Sequence, residues 1–102
     1  AVTSRTRHPL LPEVPTMEEA GLRGFEATSW QGLFAPAGTP PEVLARLHEE
    51  VARAMGSEDI RDGFARQGFR VEATTPAEFA AFVAAETAKW AEVVRAGKVV
   101  LD

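Results

Sequence analysis

The sequence predicts an α/β domain in which helices pack on a small sheet. Apolar side chains recur at helical spacing in three stretches, which begin near Pro40, Glu58 and Pro76. Residues 30–35 form an apolar run bounded by turn-forming residues, and residues 69–72 alternate between apolar and charged side chains. Both patterns favour strands, so a strand that passes through a turn into a helix is the central feature of the prediction.

Composition limits the classes of function. The chain has 102 residues, enough for one domain, and 45% of them are hydrophobic, which is typical of a folded protein. Its 11 basic residues are scattered among 15 acidic ones, so the sequence predicts no nucleic-acid partner. The absence of cysteine excludes disulfides and thiolate chemistry.

The first 26 residues predict loops with little regular structure. Residues 1–3 resemble the end of a strand, and the polar loop that follows carries Arg5, Arg7 and His8. These side chains suit either an anion site or, more commonly, a solvated basic loop. Thr16 and Glu19 have the spacing of a capping box, so we expect a helix of one or two turns that ends near Gly21.

The stretch from residue 28 to residue 42 predicts a strand, a turn and a helix start. We expect a strand over residues 30–35, with Gly32 marking a bulge or a close backbone approach. Pro36 and Gly38 predict the turn. Thr39 is predicted to cap the first helix, with Pro40 at its first position and Glu42 completing the capping box.

Three helices are expected in the remainder of the chain. The first runs over residues 40–55, and the second starts after the predicted cap Ser57 and ends near Gly68. A strand over residues 69–72 separates it from the third, which opens with a capping box of Thr75 and Glu78 and runs to about residue 96. The tail, residues 98–102, is open to three interpretations: an edge strand, docking on the core, or fraying.

No catalytic, metal-binding or cofactor-binding motif is found in the sequence, and none of these roles is predicted. His48 lacks a second histidine or a suitably placed acid, which argues against a metal site. Thr28, Ser29 and Trp30 are the candidate ligand-binding residues, because two hydroxyls beside an aromatic ring can line a small-molecule cleft. The alternative is that they simply pack within the strand.

Two motifs carry a resemblance to a known family. They are Leu-Pro-Glu-Val-Pro-Thr at residues 11–16 and Trp-Gln-Gly-Leu-Phe-Ala-Pro-Ala-Gly-Thr-Pro at residues 30–40. With Gly68, the residues 75–79 and Lys89-Trp90, they resemble the C-terminal part of the Bug (TctC-like) extracytoplasmic solute receptors of tripartite tricarboxylate transporters.

The resemblance implies a receptor, not an enzyme. It implies the C-terminal portion of a two-lobe periplasmic binding protein that captures a small carboxylate and delivers it to membrane permease subunits. Residues 1–26 would be a remnant of the second lobe, and residues 27–102 the C-terminal part of the first lobe. The glycine-rich segments that grip the carboxylate in this family have no counterpart in the sequence.

The alternative is a stand-alone oligomerising α/β domain with no ligand-binding role. Strand edges around residues 30–34 would lack sheet partners, so they predict a homodimer or a swapped assembly. A hydrolase would need a nucleophile with a base in reach, and Ser29 has no such base in the sequence pattern.

Overall fold

The computed structural model describes residues 1–100 and contains three helices. They are α1 (Pro41–Met55), α2 (Glu58–Arg66) and α3 (Pro76–Gly97). All three predicted helices are confirmed, with bounds within one or two residues of expectation. α3 ends at Gly97, as predicted. The next residue, Lys98, adopts the left-handed conformation (φ 49°) that commonly closes a helix. No helix among the described residues has the length and apolarity to cross a membrane.

Two of the predicted helix caps are confirmed. Ser57 Oγ accepts a hydrogen bond from the Ile60 N–H at 3.4 Å at the start of α2. At the start of α3, Thr75 Oγ1 accepts from the Glu78 N–H at 3.2 Å, and Glu78 Oε2 accepts from the Thr75 N–H at 2.8 Å. These reciprocal bonds satisfy backbone donors that the helix leaves unpaired, and the Thr75 N–H lowers the pKa of Glu78.

The predicted cap of α1 at Thr39 is wrong. The helix begins at Pro41, with Pro40 as the N-cap residue, and no side chain caps it. A proline disfavours helical geometry in the residue before it, so Pro41 holds Pro40 extended at ψ 140° and moves the helix start one residue along. The Thr39 hydroxyl instead donates to the Pro36 carbonyl at 2.8 Å and closes the turn.

The predicted small sheet is not confirmed. Among residues 1–100, neither residues 30–35 nor residues 69–72 form a strand, and the β-pairing consists of one isolated parallel bridge between Val2 and Thr16. A strand exists only where another segment satisfies its backbone groups. Residues 30–35 lie instead beside α3, whose side chains make apolar contacts but provide no backbone groups for a ladder of hydrogen bonds. Residues 98–100 form no edge strand, and residues 101–102 lie outside the described part.

The first 26 residues fold as turns held by ion pairs. Thr16 and Glu19 exchange the two hydrogen bonds of a capping box, at 2.8 and 3.1 Å, but the predicted short helix is a turn that Gly21 closes at φ 108°. Arg7 Nε lies 2.9 Å from Glu19 Oε2, and Arg5 Nε lies 2.5 Å from Glu26 Oε2. Both arginines therefore have a carboxylate partner, which leaves the anion-site interpretation of this loop without support.

Apolar surface remains widely exposed. No hydrophobic side chain within residues 1–100 is fully buried, and the accessible surface is 8343 Å². A compact monomer of 11.0 kDa exposes about 5,600 Å². Leu33 and Phe34 are 77% and 69% exposed. Tertiary contacts are limited. Most of the aromatic contacts join residues 26–34 to α3.

Candidate functional site

The candidate site is built where residues 26–34, here called the crossing segment, lie against α3. The two run antiparallel, since Phe34 contacts Phe79 in the first turn of the helix and the Glu26 carbonyl accepts from Lys89 in its second half. The three predicted ligand-binding residues occupy the middle of the crossing segment.

An aromatic cluster fixes the middle of the crossing segment. The Trp30 ring meets Phe79 and Phe82 edge-on, with ring centroids 5.7 and 5.2 Å apart and interplanar angles of 83° and 79°. Phe34 lies 5.3 Å from Phe79. Edge-to-face pairs of this kind contribute about 0.5–1.5 kcal/mol each beyond the area they bury. The Trp30 residue is nevertheless 38% exposed, so these contacts do not bury it.

Gly32 permits this close contact. A Cβ atom built on Gly32 would lie 2.2 Å from Cζ of Phe79, well inside van der Waals contact. The predicted close backbone approach at Gly32 is therefore confirmed, although the neighbour is a helix side chain and not a second strand.

A polar cluster holds the other end of the crossing segment. Lys89 Nζ lies 2.5 Å from Glu86 Oε1 and donates to the Glu26 carbonyl at 3.3 Å. Trp90 Nε1 donates to Glu86 Oε2 at 2.9 Å. The side chain of Glu86 is only 14% exposed, and its pKa is lowered first by Lys89 and then by Trp90.

Thr28 and Ser29 are exposed between these two anchors. Within residues 1–100, neither hydroxyl makes a hydrogen bond, so both are available as donors and acceptors. Thr28, Ser29 and Trp30 are thus consecutive exposed residues on a segment anchored at both ends.

An apolar groove of about 440 Å³ adjoins the polar cluster. It lies between residues 24–27 and the last turns of α3, and it is lined chiefly by Phe25, Trp90 and Val93, with Lys89 at its side. No three metal-ligating side chains converge within residues 1–100.

Sequence reasoning missed Glu86. The spacing of Phe79, Phe82 and Trp90 predicts an apolar stripe along α3, and Lys89 and Trp90 are among the residues that carry the family resemblance. A signal for Glu86 did exist, because its position four residues after Phe82 and four before Trp90 places a carboxylate on that apolar stripe.

Comparison with known proteins shows the family. Residues 1–99 match the family described as tripartite tricarboxylate transporter family receptor, TctC. The chain is 42% identical over 94 residues to the UPF0065 protein in the tcbD-tcbE intergenic region of Pseudomonas sp. (strain P51), covering 91% of this chain and 28% of that protein. It is 37% identical over 95 residues to BugT of Bordetella pertussis, covering 93% of this chain and 29% of that protein.

A solved structure supports the fold. The structure of R. palustris Rpa4515 with adipate matches with a TM-score of 0.79 and 36% identity, over 93% of this chain and 32% of that one. The chain thus spans about 28–32% of the length of these relatives. The family comprises receptors and not enzymes. The predicted resemblance is confirmed, and this chain belongs to the TctC family of tripartite tricarboxylate transporter receptors.

Proposed function

We propose that the chain is the C-terminal part of a periplasmic solute-binding receptor that captures a small carboxylate for a tripartite tricarboxylate transporter. The observation that carries the proposal is the family match over residues 1–99, together with the likeness to a chain solved with adipate. In this proposal, residues 1–26 belong to the second lobe and residues 27–102 to the first, with the crossing segment at their boundary. The partners are the ligand and the membrane permease subunits.

The chemistry of the crossing segment supports a carboxylate as the ligand. Adipate is a linear dicarboxylate with an apolar spacer, and Thr28, Ser29 and Trp30 offer hydroxyl donors beside an apolar wall. The nearby cations Arg5 and Lys89 are each paired with a carboxylate of the chain. A carboxylate bound here would therefore be held by neutral hydrogen-bond donors and not by a free cation.

Calorimetry with adipate tests the receptor proposal. Because the segments that grip the carboxylate in this family have no counterpart in this sequence, we expect weak but saturable heat with adipate. Hexanoate, which has the same six carbons and one carboxylate, should give still weaker heat. Substituting Ser29→Ala should weaken adipate binding several-fold, since one donor to a charged acceptor is lost. Thr87→Ala is the matched control, because the Thr87 hydroxyl on α3 donates to the Val83 carbonyl of its own helix. Equal heats for adipate and hexanoate would show that the second carboxylate is not recognised, and no saturable heat with either would contradict the ligand class.

A stand-alone oligomerising domain is the second candidate, favoured by the large exposed surface. The chain exposes about 2,700 Å² more than a compact monomer of its mass, whereas one partner contributes about 800 Å² to a standard interface. Homodimers would form around the exposed side chains of Leu33 and Phe34. Light scattering that shows a stable oligomer, combined with no heat from adipate, would favour this candidate. A monomer at every concentration would exclude it.

A further inference from the structure

A charged pair interrupts the apolar stripe of α3. Glu86 lies between Phe82 and Trp90 on the helix face that meets the crossing segment, and its side chain is only 14% exposed. Withdrawing a carboxylate from water costs free energy, and an apolar residue at that position would often serve packing as well or better. A role other than packing is therefore the natural explanation for Glu86.

The partners of Glu86 fix the orientation of Lys89. One oxygen of the carboxylate meets Lys89 Nζ at 2.5 Å, and the other accepts from Trp90 Nε1 at 2.9 Å. Lys89 Nζ also lies 5.2 Å from the centre of the Trp90 ring, within cation–π range. These contacts hold the ammonium group so that another of its N–H bonds points at the Glu26 carbonyl oxygen, 3.3 Å away.

Glu26 is held from its other side by the first part of the chain. Its carboxylate meets Arg5 Nε at 2.5 Å, and the next residue, Ala27, donates its N–H to the Thr3 carbonyl at 3.0 Å. The aromatic contacts at Trp30 and Phe34 hold the middle and the far end of the segment on α3. The Lys89 ammonium adds a separate, charge-assisted contact at the Glu26 end, where no aromatic ring holds the backbone carbonyl.

We propose that Glu86 and Lys89 are positioning residues that set the register of the crossing segment on α3 and thereby hold Thr28, Ser29 and Trp30 in place. The relevance of this position to a ligand rests on the proposed function. The register itself does not, because it is a property of the ligand-free chain. Neither Glu86 nor Lys89 needs to touch the ligand.

Nuclear magnetic resonance of the ligand-free chain tests the register. The chain has two tryptophans, so its two indole N–H signals are assigned with Trp30→Phe and Trp90→Phe variants. Lys89→Met keeps the side-chain stem and removes the charged donor. We expect it to shift the Trp30 indole signal and to speed hydrogen exchange at the Ala27 amide about tenfold, as expected for a lost charged hydrogen bond.

Two variants serve as controls. Lys89→Arg keeps a charged donor and should leave both signals close to those of the parent chain. Arg95→Met breaks the exposed Glu92–Arg95 pair, which has the same i,i+3 spacing on the same helix, and should not affect Trp30 or Ala27. Equal effects of Lys89→Met and Arg95→Met would overturn the proposal.

A second variant tests the proposal if Lys89→Met does not fold. If Lys89→Met loses helical circular dichroism, Glu86→Gln removes the charge that orients Lys89 and keeps the side-chain shape. Because the side chains of Trp30 and Trp90 also contact Glu86, only hydrogen exchange at the Ala27 amide is measured in this variant. An unchanged Ala27 exchange rate in a folded Glu86→Gln chain would then overturn the proposal. Failure of adipate to bind the parent chain would count against the proposed function alone, since the register is measured without ligand.

Discussion

Gly32 determines how closely the crossing segment lies on α3. The Phe79 ring occupies the space that a Gly32 side chain would need, and Phe79 is itself confined by Trp30, Phe34 and Phe82. The ring cannot turn away without disturbing those contacts. One residue therefore couples the backbone of the segment to the aromatic cluster behind it.

Substitution of Gly32 should destabilise the chain. We expect Gly32→Ala to lower the free energy of unfolding by about 1–3 kcal/mol, as overpacking does, and to change the fluorescence of Trp30. Gly63→Ala is the matched control: an added Cβ there meets nothing within 4 Å, and the residue lies inside α2. That variant should be more stable by about 0.5–1 kcal/mol. Urea unfolding followed by circular dichroism measures both, and equal stability of the two variants would contradict the account.

The starts of α1 and α3 have similar sequence motifs, but only one of the two helices is capped by its threonine. Both begin with threonine, proline and a glutamate three residues after the threonine, yet only Thr75 caps its helix. The second proline, Pro41, moves the start of α1 so that Thr39 lies outside it. The sequence contained this information, but the capping-box pattern alone did not reveal it.

The two threonines should therefore respond differently to truncation. Thr75→Ala should lower the free energy of unfolding by about 1 kcal/mol, because the Glu78 N–H loses its acceptor at the start of α3. Thr39→Ala removes only a turn hydrogen bond to Pro36 and should cost less than half as much. Thermal unfolding of the two variants compares them, and equal losses would show that Thr39 caps α1 after all.

Helices were more predictable than strands for a physical reason. A helix satisfies its own backbone groups, so periodicity and caps near Ser57, Thr75 and Gly97 were sufficient to place α2 and α3. A strand depends on a partner segment that the local sequence does not specify, and residues 30–35 have no ladder partner among residues 1–100. The sequence also predicts Thr28, Ser29 and Trp30 as ligand-binding residues, and this stays a prediction. The contacts of Glu86 and Lys89 with the crossing segment could not be predicted, because they depend on tertiary structure.

At the scale of the whole molecule, the chain is open. Its radius of gyration is 16.7 Å, whereas a compact domain of this length has about 13 Å. With little apolar surface removed from water, ion pairs and caps contribute a larger share of what holds the described fold together. Stability should consequently respond to the ionisation of the carboxylates that take part in them.

Acid should destabilise the chain in a defined pH range. The folded-state pKa values of Glu19, Glu78 and Glu86 are lowered from 4.5, by Arg7, by the Thr75 N–H and by Lys89 respectively. A lowered carboxyl pKa contributes stability that is present above the unfolded value and is lost as pH falls through the folded values. We expect the midpoint of thermal unfolding to be nearly constant from pH 7 to about 5 and to fall below about 4.5. Glu78→Gln should make the midpoint of thermal unfolding depend less on pH in this range. A midpoint that rises on acidification would contradict the stabilising role of these carboxylates.

The receptor assignment is tested most directly by mapping adipate onto the chain with amide resonances. The account predicts saturable shifts at Thr28 and Ser29 and at the Trp30 amide and indole N–H, with little change on the outer faces of α1 and α2. Saturable shifts confined to residues outside the crossing segment, or none at millimolar adipate with a folded chain, would contradict it.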